Sequence, residues 1–125
     1  MVKGYPDWEI VTGSGIGGAV SISSSFSGSV NSGATANFDV LTVPSGRTAI
    51  VKGISISVPD DEFIHTLKLF PTSTSTIIIQ TEFVRDGQWN FSGDEFSETT
   101  VIRVQIINNS DATLTFNGSI YYTQR

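Results

Sequence analysis

The chain has 125 residues, of which 38% are hydrophobic and only 15% are charged, and its formal net charge is −5. This length predicts one domain with a single core. The seven Lys and Arg residues form no cluster, which argues against nucleic acid as a partner. The absence of cysteine excludes disulfides and thiolate metal sites.

Residues 1–18 mix glycines with aromatic residues and lack a sustained alternation of apolar and polar positions. We therefore predict a Gly-rich N-terminal arm over 1–18 and a β-sandwich domain over 19–125. The N-terminus has no apolar stretch of the signal-peptide kind, and no apolar run is long enough to cross a bilayer. The sequence thus predicts synthesis in the cytoplasm and no membrane partner.

Gly13, Gly15 and Gly18 match the G-x-G-x-x-G spacing of dinucleotide-binding folds, and Asp39 lies about where such folds place a ribose-binding acid. That site requires the glycines to end a strand and open a helix. The residues after Gly18 alternate instead, with apolar positions of one parity separated by serines, which is the pattern of a strand. A nucleotide-binding role is therefore rejected.

We expect the glycine motif to be inert towards nucleotides. Calorimetric titration with NAD or ATP should give no heat beyond dilution, because no helix N-terminus follows the glycines. A saturable isotherm in the micromolar range would contradict this.

In the first half of the domain, the sequence predicts short strands separated by turns. Residues 19–27 form the first strand, and Phe38 and Val40 share one face of the second. Pro44-Ser45-Gly46 has turn chemistry. Residues 47–58 form a strand with a bulge or close approach at Gly53. The residues predicted to share its inner face are Ile50, Ile54, Ile56 and Val58.

The second half continues the pattern. We predict a buried strand over 76–84, a hairpin turn at Asp86-Gly87 and a polar acidic loop over 92–98. A further turn is predicted at 108–111. The inward residues of the other strands are Phe63, His65, Leu67 and Leu69, then Ile102, Val104 and Ile106, then Leu114, Phe116, Ile120 and Tyr122.

About eight strands and no segment of helical period predict an all-β fold. The expected architecture is a single-domain antiparallel β-sandwich of the jelly-roll kind.

The sequence offers no convincing catalytic group. His65, the only histidine, is predicted to be a core or edge residue with a hydrogen-bond partner. The acidic runs at 60–62 and 94–98 lack the spacing of a calcium loop and are predicted to be solvated turns. We therefore predict no enzyme activity, no cofactor and no metal.

Three aromatic residues are candidate interface anchors, namely Tyr5, Trp8 and Trp89. Exposed aromatic rings serve as interface anchors or as platforms for sugars. For Trp89, packing beneath a hairpin is an equal alternative.

Residues 41–58 resemble a pattern of tailed-phage virion proteins, T-V-P-[AS]-G-[KR]-T followed by an alternating strand. The matching residues are Thr42, Val43, Pro44, Gly46, Arg47 and Thr48. The opening Gly4-Tyr5-Pro6-Asp7-Trp8 also resembles N-terminal arms of such structural proteins.

This resemblance implies a jelly-roll-like protein of the virion, made in the host cytoplasm, that decorates a capsid or forms part of a tail or fibre. It would act through protein–protein contacts, with itself as a homo-oligomer, a trimer before a dimer, and with other virion proteins. The alternative is a carbohydrate-binding β-sandwich module, with Trp8, Trp89 or the tyrosines as sugar platforms.

Overall fold

The computed structural model describes residues 20–74 and 76–125, so the predicted arm, with Tyr5 and Trp8, lies outside the described residues. The described residues contain eight strands and no helix. The strands are β1 (Val20–Val30), β2 (Thr35–Thr42), β3 (Ala49–Ser57), β4 (His65–Pro71), β5 (Ile79–Phe83), β6 (Asp86–Phe96), β7 (Val101–Ile107) and β8 (Leu114–Gln124).

The strands form two four-stranded antiparallel sheets. Sheet A has the order β1-β8-β3-β6, and sheet B has the order β2-β7-β4-β5. All but one of the connections between consecutive strands move the chain from one sheet to the other, so that strands distant in sequence become neighbours. This arrangement is the double-sheet jelly roll, and the predicted all-β sandwich is confirmed.

The core lies between the two sheets and follows the alternation of the sequence. Ile102, Val104 and Ile106 of β7 are fully buried, as are Phe116 and Ile120 of β8, which confirms the predicted inner faces of both strands. Burying each of these large side chains contributes about 1.5–3 kcal/mol.

The turn after β2 has the predicted chemistry. The Arg47 N–H donates to the Pro44 carbonyl at 3.1 Å, and Gly46 has φ 78°. A positive φ at the third of four turn residues defines a type II turn, which favours glycine there. The Glu98 carboxylate accepts the Gly46 N–H at 2.5 Å and fixes the turn.

The hairpin predicted at Asp86-Gly87 is wrong. Both residues lie in β6, which pairs with β3 in sheet A, whereas β5 pairs with β4 in sheet B. The chain crosses between the sheets through Val84 and Arg85, where Arg85 has φ 65° and the Asp86 N–H donates to the Val84 carbonyl at 2.7 Å. Local turn chemistry does not distinguish such a crossing from a hairpin.

Two neighbouring predictions also need correction. The segment 76–84 is not a buried strand, because β5 is an edge of sheet B and Ile77 and Val84 are 44% and 43% exposed. Residues 92–98 are not a loop throughout, because β6 continues to Phe96 and pairs with β3 as far as Ala49. At the start of the fold, β1 runs to Val30, beyond its predicted end at residue 27.

The predicted bulge at Gly53 is confirmed by a register shift between Val51 and Gly53. The shift reverses the alternation, so that Val51 is buried on the core side and Ile50 is not, contrary to the expected inner face. A Cβ at Gly53 would lie 2.9 Å from the Trp89 carbonyl oxygen, which explains why glycine occupies this position.

Candidate functional site

The outer face of sheet A carries a ladder of small polar side chains. Its β1 part consists of exposed serines at alternate positions, because every second residue of a strand faces away from the core. These serines hydrogen-bond across to β8. The rungs are Ser25 to Ser119 at 3.1 Å, Ser27 to the Asn117 Oδ1 at 2.6 Å, and Ser29 to Thr115 at 3.3 Å.

A shallow groove of about 760 Å³ crosses all four strands of this face. Its floor is the backbone row in which Phe26, Gly118, Ile56 and Gly87 pair across the sheet. Its two walls are the adjacent rows of outward side chains. One wall comprises Ser25, Ser119, Ser55 and Gln88, and the other comprises Ser27, Asn117, Ser57 and Asp86.

The groove is almost free of charge, because Asp86 is the one ionisable side chain in its lining. One aromatic ring stands beside it. Tyr121 is 37% exposed, and its hydroxyl is 3.0 Å from the Ser55 hydroxyl. The face can therefore offer hydroxyl and amide hydrogen bonds to an uncharged partner.

Trp89, a predicted site residue, lies in β6 and packs towards the core. Its ring occupies the space that a Cβ at Gly87 would take, and it meets Phe83 edge-on with centroids 6.4 Å apart. The side chain is half-buried against the core. This is the packing alternative of the sequence analysis, and the role of Trp89 as an interface anchor stays a prediction, as do those of Tyr5 and Trp8.

His65 is fully buried and has a partner on each ring nitrogen, which confirms the predicted core histidine. Nδ1 accepts the Asn109 backbone N–H at 3.3 Å, and Nε2 lies 2.8 Å from an Asp60 carboxylate oxygen. With Nδ1 acting as an acceptor, Nε2 carries the proton and donates to Asp60. The rings of Phe83 and Phe116 flank the imidazole, with centroids 5.6 and 5.2 Å away.

This enclosure makes His65 a structural residue. A general base must reach a substrate proton directly or through one water, and a side chain with no exposed surface does not. Burial raises the pKa of Asp60, but hydrogen bonds from the Glu62 N–H, the His65 ring and the Phe63 N–H lower it below its usual value overall.

Two other acidic residues, Asp39 and Glu95, also make local contacts. Arg103 donates to both Asp39 carboxylate oxygens at 2.7 and 3.3 Å and lowers the Asp39 pKa below its usual value. Asp39 thus belongs to an ion pair on sheet B. Glu95 pairs with Arg125.

Within residues 20–74 and 76–125, no three His, Asp or Glu side chains lie close enough together to hold a metal ion. The same part of the chain contains no helix long and apolar enough to cross a membrane.

No protein-family model and no curated protein matches the sequence. Solved structures nevertheless share the fold. A subunit of the Bacillus endospore appendages, described as disulfide-linked pili, has a TM-score of 0.51 at 9% identity over 84% of this chain and 86% of that one. PirA has a TM-score of 0.50 at 14% identity over 78% and 92%.

A capsid asymmetric unit of cyanophage Pam1 gives a TM-score of 0.46 at 18% identity over 84% of each chain. The similar structures thus include pilus and capsid proteins. At these identities, the similarity of the first two establishes a common all-β fold and nothing about activity.

The sequence analysis missed the polar groove. The signal was present in β1, where serine occupies every odd position from 21 to 29, but such an alternation also fits any solvated strand face. The groove forms because β1, β8, β3 and β6 lie side by side in sheet A. The sequence does not reveal this order, because it depends on how the chain passes between the two sheets.

Proposed function

We propose that the protein is a structural component of a virus particle, as a decoration or tail-associated subunit that acts through protein–protein contacts. The observation that carries the proposal is the nearly uncharged, hydroxyl-rich groove on the outer face of sheet A, on a jelly-roll scaffold. Charged residues are depleted at the centres of protein interfaces. In binding surfaces such as antibody paratopes, serine, glycine and asparagine supply adaptable hydrogen bonds, and tyrosine supplies rigid contact area.

The segment that resembles virion proteins supports the proposal, because it forms a compact corner of the sandwich. Val43 exchanges backbone hydrogen bonds with the turn before β7, donating to Thr100 at 2.9 Å and accepting from Thr99 at 2.7 Å. Arg47 is the last residue of the type II turn and is exposed, so it is accessible to a neighbouring subunit.

Carbohydrate binding is the second candidate, favoured by the same groove. Its hydroxyl and amide walls suit a neutral sugar, and Tyr121 beside it could supply the aromatic platform that Trp89, packed on the core, does not offer. Saturable shifts of groove resonances during NMR titration with neutral oligosaccharides, lost in Tyr121→Ala, would favour this candidate.

Particle composition tests the proposed function. Particles encoded by the genome that carries this sequence, purified on a density gradient and washed in high salt, should contain the protein in a fixed ratio to the major capsid protein. A non-structural protein from the same lysate is the control and should be lost in the wash. Absence of this protein from the washed particles would contradict the proposal.

Deleting residues 1–18 should separate assembly from folding. We expect the remaining domain to unfold cooperatively on heating while its assembled fraction falls, because the proposed anchors Tyr5 and Trp8 are removed. Trp8→Ala alone should lower the assembled fraction several-fold in sedimentation velocity with an unchanged circular dichroism spectrum. Asn37→Ala, on the outer face of sheet B, is the control. Loss of cooperative unfolding after the deletion would show that the arm belongs to the fold.

A further inference from the structure

Strand β1 is an edge of sheet A, and among the described residues β8 is its one neighbouring strand. Exposed edge strands invite pairing with another chain, and proteins usually protect them by shortness, charge, proline or a bulge. The other three edges carry such protection. The strand β5 has only five residues, β2 has a register shift beside Asp39, and β6 bears Asp86, Asp94 and Glu95.

Strand β1 has none of these protections. It is 11 residues long, contains no proline and no charged residue, and pairs with β8 without a register shift from Val20 to Val30. A long, regular edge of this kind is a template for one more strand.

The charge distribution indicates which strand that is. No charged residue occurs between Ile10 and Phe38 or between Ala112 and Gln124, so both β1 and its neighbour β8 are uncharged. Two copies of a chain with net charge −5 have a net electrostatic repulsion. Along β1 they can meet without placing like charges opposite each other.

The side chains of β1 also complement themselves. Its outer serines already form hydroxyl pairs with β8, as in Ser25 to Ser119 at 3.1 Å, and serines facing serines across the edge that points away from β8 can form the same pairs. Because an antiparallel strand pairs with itself around a two-fold axis, the contact is isologous and closes at two copies.

We propose that β1 pairs antiparallel with β1 of a second copy, so that the two sheets A form one continuous sheet of eight strands. This deepens the proposed function by naming one of its protein contacts, and it gives a dimer, the second of the two oligomers that the sequence analysis considers. The pairing depends on the strand edge, whereas the groove on the face of the sheet stays open.

Single-cysteine variants of the full-length chain test this pairing, since the natural sequence has no cysteine to interfere. Directly opposed residues in an antiparallel pair have Cα atoms about 4.5–5.5 Å apart, which is within reach of a disulfide. We expect oxidation to cross-link one of Ser23→Cys, Ser25→Cys and Ser27→Cys strongly where the two-fold axis passes through a serine, and a mixture of two of these variants where the axis passes through the residue between two serines. Asn90→Cys, exposed on strand β6 at the opposite edge of sheet A and outside the groove lining, is the matched control.

Charge at the edge should have the opposite effect. We expect Ser25→Lys and Ser27→Lys to raise the dissociation constant of the dimer at least tenfold, measured as a shift of the sedimentation coefficient towards that of the monomer. Asn90→Lys should leave the dimer intact. A monomeric natural protein at micromolar concentration, or cross-linking no greater than in Asn90→Cys, would overturn the pairing. If a lysine variant does not fold, the cysteine series still decides the question.

The outcomes also separate this inference from the proposed function. Particles that contain the protein, together with no dimer through β1, would refute the edge pairing alone. A dimer through β1 in a protein absent from washed particles would refute the virion role alone.

Discussion

Replacing Asn108 with alanine is expected to lower the free energy of unfolding by about 3 kcal/mol, because several buried polar groups lose their partners together. The side chain is fully buried, and its Nδ2 donates to the carbonyls of Val30 at 2.8 Å and Ala112 at 2.9 Å. Its Oδ1 accepts from the backbone N–H of Ser110 at 2.9 Å and from the Ser110 hydroxyl at 2.6 Å.

The neighbouring Asn109 provides a matched control. Its side chain is exposed and donates to the Ile64 carbonyl at 2.9 Å, so water can replace that contact in Asn109→Ala at a cost of about 0.5 kcal/mol. Urea unfolding of both variants with the natural protein measures the difference. Equal midpoints would show that the hydrogen bonds of Asn108 contribute little to stability.

Asn108 also illustrates what the sequence can reveal. The run at 108–111 predicts a turn, and a turn is present, but the same residues give no sign that the first asparagine is buried. Its backbone donates to the Ala34 carbonyl at 3.0 Å and accepts from Gly33 at 2.8 Å, so it joins the turn between β7 and β8 to the one between β1 and β2. Contacts between turns so distant in sequence depend on the topology.

The strand predictions are correct where they depend on the pattern within one strand, and wrong where they depend on how strands pair with each other. The inner faces of β7 and β8 follow from alternation within a single strand, so the sequence predicts them directly. The hairpin predicted at Asp86-Gly87 is wrong because a two-residue turn of this kind commonly joins paired strands, whereas the chain there changes sheet. Likewise, the reversal at Ile50 depends on where β3 bulges relative to its neighbours.

The candidate surfaces were predictable to a smaller extent. The low charge and the serine alternation of β1 are visible in the sequence, but which strands lie at the edges of the sheets is not. That β1 lacks the usual protection of an edge strand becomes apparent only when it is compared with the charged or bulged edge strands β2 and β6.

Replacing His65 with alanine should also destabilise the fold strongly, by about 3 kcal/mol at pH 7. The substitution leaves a cavity between the rings of Phe83 and Phe116 and removes an acceptor for the Asn109 N–H. Thr66→Ala, at the next position of β4 and only half-buried, should cost less than about 1 kcal/mol. Chemical denaturation of the two variants at pH 7 gives the comparison.

The difference between His65→Ala and the natural protein should shrink in acid. The folded-state pKa of Asp60 lies below its usual value, partly through the hydrogen bond from His65. A carboxylate with a lowered pKa stabilises the fold above its unfolded pKa of about 3.9, and this contribution is lost as the pH falls through the folded pKa. In acid the natural protein therefore loses the stabilising contribution of ionised Asp60, part of which His65→Ala already lacks at pH 7. Asp61→Ala, at the adjacent exposed residue, should show no such convergence with the natural protein between pH 7 and pH 3. A constant difference for His65→Ala across that range would show that the contact between His65 and Asp60 does not contribute to acid sensitivity.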